Sequence, residues 1–396
     1  MKWYTNGNLF LGKSFDLLGP GSFAVEDGKI VAIEKGNRPE GLDLQGAYVI
    51  PAFVNGHCHL ADTGAKEMGI GLSVEATVTP PNGLKHQYLR SLSEESLISL
   101  LREGMEEMLR NGICACADYR EGGVKGIEAL RKAQTGLPLQ VLALGRPLAD
   151  STQDPLLGDK ELHQILELGD GLGIPGINSF SRETLLHMRI LAKNKLLSIH
   201  ISESPSDYRQ RLARKEVSEV QRALEIGTDF LVHLTHTDEE DIALLQASGQ
   251  PIICCPRTNC LLGDGIPHLE EFEKAGLFWG LGTDNMMFSS PDLFRELDFA
   301  SRITRGRTER PSCLGTDLLK QATWMGSSAL GLEKRMGTLE VGKDASFLAL
   351  DSHSPAFSHS RNIQSSIIHR AGPADIAWFI CNGIEVIRDH QFLFAS

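Results

Sequence analysis

Val49-Ile50-Pro51-Ala52-Phe53-Val54-Asn55-Gly56-His57-Cys58-His59 is the stretch on which the rest of the chain turns. An apolar run of this length reads as a buried strand, and it ends on His-x-His. On a strand, positions i and i+2 share a face, so both imidazoles point the same way at the strand's C-terminal end. Taken alone the pair is weak, because packing explains two such histidines equally well. The stretch is also a boundary. Before it, Gly21 to Ile33 reads as two strands joined at Asp27-Gly28, a strong short-range hairpin signal. After it, apolar β-rich runs alternate with longer amphipathic ones, the texture of a parallel α/β core.

Working downstream, candidate strands fall at Ala52–His57, Ile113–Tyr119, Gln140–Leu144, Asp170–Ile177, Leu196–His200, Phe230–His233, Pro251–Cys255 and Phe278–Gly282. Helical periodicity fills most gaps, as in Glu94–Asn111, Glu183–Asn194, Val217–Gly227 and Asp238–Ser248. Eight β/α repeats predict an α/β fold, a (β/α)8 TIM-type barrel over residues 51–335. Beyond Arg335 strands return, at Gly337–Asp351 and at Ala377–Ile387, where Asn382-Gly383 marks another hairpin. Chain termini often lie close together, so residues 1–50 and 336–396 are expected to form one small discontinuous β-sandwich. Ser352–Ser366 reads as a polar loop.

Composition narrows the function. The 396 residues are 41% hydrophobic, with 39 Lys+Arg against 51 Asp+Glu and a net charge of −12. Nucleic acid and anionic membranes need clustered cations, so neither is an expected partner. The N-terminus lacks the apolar core of a signal peptide and no run is long enough for a membrane helix, which points to a cytoplasmic protein. Eight cysteines, several inside apolar runs, read as reduced core thiols.

Further polar residues stand where apolar strands run out: His200, His233 and Asp284. Each on its own could be a satisfied buried residue. Several converging on one barrel mouth each need a partner, since desolvated imidazoles and carboxylates are costly. A divalent cation satisfies them together, and neutral imidazoles with a carboxylate suit Zn2+, Fe2+ or Mn2+. Glu203 lies three residues past His200, on the loop over the same mouth, where a carboxylate can shuttle protons.

With these residues in place, the chain resembles the amidohydrolase superfamily of metal-dependent hydrolases, in its cytosine deaminase and triazine-hydrolase-like branch. The resemblance rests on Val49 to Leu60, on His200-Ile201-Ser202-Glu203, on Val232 to Glu240, on Thr258 to Pro267, on Gly282-Thr283-Asp284-Asn285 and on Met336 to Ala345. It implies His57, His59, His200 and Asp284 as metal ligands. Many binuclear relatives bridge two metals with a lysine from the fourth strand, and Gly171 to Asn178 contains none, which favours a single divalent transition metal, Zn2+ first. The implied reaction is hydrolytic attack on a ring carbon of a small N-heterocycle with release of ammonia. Asp284 would take the proton of the attacking water, His233 would hydrogen-bond the water and then the tetrahedral oxygen, and Glu203 would protonate the ring nitrogen.

Two rivals share the sequence. Ring opening of a cyclic amide, or displacement of another leaving group, uses the same metal chemistry. A non-catalytic scaffold would have eroded ligands, and these are intact. Arg120 could clamp an anionic or carbonyl group or pair with Asp118 or Glu121; Arg146 is a weaker candidate of the same kind. Asn259 is a candidate substrate or loop anchor, and His236 reads as lying outside the metal shell. The fourth strand has Pro175 and Gly176 where adenosine-type deaminases carry a substrate histidine. Residues 61–90 form a long loop that is either a lid or a connector. Homo-oligomerisation is compatible with the sequence.

Overall fold

The computed structural model describes residues 1–148, 159–309 and 316–394. Two sheets organise it, one parallel and one built from both ends of the chain.

The parallel sheet runs in sequence order through Phe53–His59, Ile113–Arg120, Gln140–Gly145, Gly171–Ile174, Leu196–Ile201, Phe230–His233, Ile252–Cys254 and Trp279–Leu281. These lie within a residue or three of the runs read from apolar patterning. All are buried throughout or nearly so, the pattern of a parallel sheet covered on both faces. Helices supply the cover. Glu94–Arg110, capped by Ser93, turns Leu101, Met105, Met108 and Leu109 inward.

The eighth strand has a second part. Trp279–Leu281 pairs with Ile252–Cys254, and after Gly282 and Thr283 the short strand Asp284–Asn285 pairs with Cys58 and His59 of the first strand. The two ends of the sheet are therefore consecutive in the chain, and the sheet curls back on itself. Gly282 makes the passage feasible: a Cβ there would lie 2.9 Å from the His57 Cβ and 3.0 Å from the Cys255 Sγ. Asn55 clamps the seam, its amide donating to Thr283 Oγ1 at 2.8 Å and its oxygen accepting from the Thr283 N–H at 3.0 Å.

The second sheet contains Lys2–Leu11, Asp16–Glu26, Lys29–Lys35, Leu42–Asp43 and Tyr48–Pro51 from the N-terminal end. From the C-terminal end come Phe347–Leu350, Ile376–Cys381, Ile384–Arg388 and Gln391–Phe392. Tyr48–Pro51 joins the halves, pairing with Lys2–Leu11 on one side and Phe347–Leu350 on the other. It is a single hydrogen-bonded sheet that curls strongly. Phe347 and Phe23 stand three strands apart, about 14 Å in a flat sheet, yet their rings meet at 4.8 Å, with Tyr4 5.2 Å from each. Both hairpin turns form as read, with Asp27, Gly28, Asn382 and Gly383 all at positive φ.

The polar tract ends earlier than expected. Ile363–His369 is a helix, capped by Asn362, that buries Ile367 and Ile368 against the helix Leu293–Thr308. Two adjacent isoleucines outweigh the surrounding serines. No helix among the described residues is long and apolar enough to cross a membrane, and the seven described cysteines are all free.

Candidate metal centre

The C-terminal ends of the first, fifth, sixth and eighth strands bring five buried groups together. Donor atoms of His57, His59 and Asp284 lie within 4.8 Å of one another, as do those of His57, His200 and His233, and those of Glu203, His233 and Asp284. Asp284 Oδ1 is 3.2 Å from His57 Nε2 and 3.5 Å from His59 Nε2. Each of the four histidines and Asp284 is at most 7% exposed.

Hydrogen bonds on the far side of each ring determine what it presents to the centre. His59 Nδ1 lies 2.9 Å from Glu121 Oε1 and His200 Nδ1 lies 2.8 Å from the Ile174 carbonyl. Both partners are acceptors, so both rings carry the proton on Nδ1 and turn an Nε2 lone pair inward, the form a metal requires. His233 differs. Its Nδ1 faces the Asn259 side-chain nitrogen at 3.1 Å, a donor, so the proton sits on Nε2. His59 and His200 thus turn lone pairs toward the centre, and His233 turns a proton toward it.

Electrostatics agree. Burial, and next the Lys85 ammonium, push the His59 pKa down to about 3; burial and His57 hold His200 well below the usual range. The imidazoles are neutral at physiological pH. Burial resists ionisation of Asp284, but its contact with His57 and the nearby imidazoles hold its carboxyl below the usual range. Glu203 is raised to about 8 by burial and then by Asp284, so it holds its proton at neutral pH. Its Oε1 lies 3.6 Å from His233 Nε2, and its side chain is 23% exposed.

Among the four histidines and Asp284, three buried atoms have no hydrogen-bond partner: His57 Nδ1, His233 Nε2 and Asp284 Oδ2. Inward lone pairs, a carboxylate held ionised and an orphaned carboxylate oxygen fit a divalent cation of borderline softness.

Around this centre lies a charged layer that the strand pattern did not disclose. Lys85 Nζ is 2.8 Å from Glu121 Oε1 and 3.1 Å from Asp62 Oδ2. Arg120 is 1% exposed, with its guanidinium 2.6 Å from Glu121 and 3.3 Å from Asp118; the ion-pair alternative describes its contacts. Asp118 in turn accepts from the Leu60 N–H at 2.7 Å. Residues 61–90 bring Asp62 and Lys85 into this layer. His236 bonds the Asp264 carbonyl at 2.6 Å, outside the metal cluster, and Cys58 packs beneath, its Sγ 3.4 Å from the Ala117 carbonyl. The Arg146 Nε is buried without a partner.

The model of the amidohydrolase family matches residues 48–386. The chain belongs to the amidohydrolase family. Within that family it is 34% identical over 382 residues to a protein of Methanothermobacter thermautotrophicus, covering 93% of this chain and 94% of the relative. It is 25% identical over 402 residues to the 5-methylthioadenosine/S-adenosylhomocysteine deaminase of Halobacterium salinarum, covering 94% and 91%. Among solved structures, an adenosine deaminase from Xanthomonas campestris with bound zinc superposes at a TM-score of 0.87 with 18% identity, covering 100% of this chain and 94% of that one. At that identity the likeness establishes that this amidohydrolase-family chain shares the fold.

Proposed function

We propose that this protein is a metal-dependent aminohydrolase that releases ammonia from a ring carbon of a small N-heterocycle. The observation that carries the reading is the sorting of histidines. His59 and His200 offer lone pairs beside His57 and Asp284, while His233 offers a proton to the same space. Deaminases among its relatives, and zinc in a structure of the same fold, support the chemistry and the metal. The return of the parallel sheet onto its first strand supports a (β/α)8 barrel over 51–335, with 1–50 and 336–396 as the small β domain.

His57, His59, His200 and Asp284 would hold one divalent cation, zinc first. Such an ion, when bound, lowers the pKa of water toward about 7. The protein's own groups do the rest. Asp284 takes the proton of the attacking water through its free Oδ2. His233 donates from Nε2 to the oxygen that becomes negative as the ring carbon turns tetrahedral. Glu203, protonated at neutral pH, gives its proton to the ring nitrogen where charge builds. The amine then leaves after receiving a proton from Asp284. As the carbon–nitrogen bond breaks, the remaining hydroxyl proton passes to the ionised Glu203, so water adds, ammonia departs, the ring keeps a carbonyl and both carboxyl groups return to their starting states. Arg120, enclosed by Asp118 and Glu121, acts in this reading through Glu121 on His59 rather than on substrate.

The test is an ammonia-release screen of zinc-loaded protein against aminopyrimidines, aminopurines, pterins and aminotriazines. Turnover with ammonia and an intact ring chromophore is expected. Hydrolysis that opens a ring or expels another group without ammonia would replace the deaminase reading with the broader hydrolase one.

A further inference from the structure

Lys85 sits in the helix Leu84–Ser91, within the segment 61–90 that leaves the first strand. It is 3% exposed, and its ammonium makes three buried contacts: Asp62 Oδ2 at 3.1 Å, Glu121 Oε1 at 2.8 Å and Asn285 Oδ1 at 3.4 Å. Two of these partners grip metal-ligand candidates directly. Glu121 Oε1 holds His59 Nδ1 at 2.9 Å, and the Asn285 amide donates to Asp284 Oδ1 at 2.6 Å. The helix carrying Lys85 is fastened in turn, with His86 Nε2 3.0 Å from the Val78 carbonyl.

From this geometry we infer that Lys85 is a positioning residue for the metal centre, fixing His59 through Glu121 and Asp284 through Asn285. The inference rests on the metal site proposed above. It assigns residues 61–90 a role beyond lid or connector: they deliver a cation that touches Asn285 of the eighth strand and reaches His59 of the first through Glu121. The physical argument is electrostatic. Asp62 and Glu121 are buried carboxylates on either side of one ammonium. Without it they repel, and Arg120, which already holds the Oε2 atom of Glu121 at 2.6 Å, draws the carboxylate away from His59. Asn285 loses the donor that orients its amide oxygen, and with it the orientation of the N–H on Asp284. Groups that orient metal ligands typically change affinity 10–100-fold when removed.

The experiment measures zinc binding by competition with a chromophoric chelator, alongside the visible spectrum of the cobalt-substituted protein. Lys85→Met strands two buried carboxylates and risks misfolding. The double variant Asp62→Asn/Lys85→Met removes opposite charges together, and Asn285→Ala cuts only the arm to Asp284. Circular dichroism establishes which variants are folded. We expect zinc affinity to fall about 10–100-fold in the double variant, to fall also in Asn285→Ala, and the cobalt bands to shift in both. Folded variants with wild-type zinc affinity and an unchanged cobalt spectrum would overturn the positioning role while leaving the metal site standing. A wild-type protein that binds zinc no better than His57→Asn/His59→Asn would instead overturn the metal site itself, and the role of Lys85 with it.

Discussion

The proton on His233 is the most exposed point of the mechanism, because one side-chain amide determines where it sits. Asn259 Nδ2 lies 3.1 Å from His233 Nδ1 and leaves Nε2 as a buried donor without a partner. Asn259→Asp keeps the shape of the side chain and replaces that donor with an acceptor. The imidazole then moves its proton to Nδ1 to satisfy the new carboxylate, and Nε2 turns a lone pair toward the oxygen it should stabilise. Losing one donor to a developing oxyanion slows catalysis by about 10²–10³, or about 2.7–4 kcal/mol. A lone pair aimed at the same oxygen repels as well, so the loss should lie at the upper end. Asp264, raised to about 8 by burial and then Glu203, is protonated at neutral pH and tolerates the new neighbour. Steady-state ammonia release gives kcat, zinc content verifies the site, and nitrogen chemical shifts of labelled histidine report the tautomer without reference to activity. Asn259→Ala, which imposes no tautomer, should lose less than Asn259→Asp. An Nδ1–H proton on His233 in the wild-type protein, or an Asn259→Asp variant within threefold of wild-type kcat, would refute the assignment.

Other expectations follow from the same geometry. Glu203→Gln should lower kcat by about 10²–10⁴, the span of general acid–base groups, with little change in KM; unimpaired turnover would remove Glu203 from the proton path. Zinc at 100 times its dissociation constant should stabilise the fold by about 2.7 kcal/mol, read as a rise in melting temperature that chelation reverses and His59→Asn abolishes. Phe347→Ala removes a fully buried ring from the aromatic cluster of the terminal sheet and should cost about 3–5 kcal/mol in stability. Activity per folded molecule should be retained in that variant, since the cluster lies away from the metal centre.

The strands and the ligand candidates were legible because they obey simple periods. His57 and His59 differ by two and share a face, and His200, His233 and Asp284 mark the ends of buried runs, so burial patterning and side-chain chemistry coincide. The charged layer behind them obeys no period. Lys85 lies in a segment with weak patterning, and nothing local distinguishes it from a solvated lysine; only the three-dimensional return of residues 61–90 sets it against Asp62 and Glu121. Glu121 was visible as a neighbour of Arg120, but its hold on His59 spans 62 residues of chain. The seam at Gly282, likewise, is written as an ordinary glycine before a Thr-Asp pair, and its need emerges from the 2.9 Å approach to His57.

Glu203 poses a harder problem, since it lies three positions past His200 and a regular strand would send the two side chains to opposite faces. The backbone resolves it at Ser202, whose φ of 50° lies in the left-handed region. That single residue breaks the two-residue alternation and returns Glu203 to the side on which His200 stands, within 3.6 Å of His233. His233, Leu234 and Asp284 adopt positive φ as well, at 78°, 49° and 57°, so the departures from strand geometry cluster where the chemistry is. Each costs about 1–3 kcal/mol for a residue other than glycine and persists because neighbours enforce it: the Ser202 N–H donates to Glu219 Oε2 at 2.5 Å, and the Ser202 carbonyl accepts from the His236 N–H at 2.9 Å. The conformation, not the hydroxyl, is then what position 202 contributes. Ser202→Gly, which adopts this φ without strain, should keep kcat near wild type. Ser202→Val, β-branched and poorly tolerated at positive φ, should lower kcat toward the Glu203→Gln level with zinc affinity intact. Equal activity in the glycine and valine variants would show that Glu203 reaches the centre by some other path.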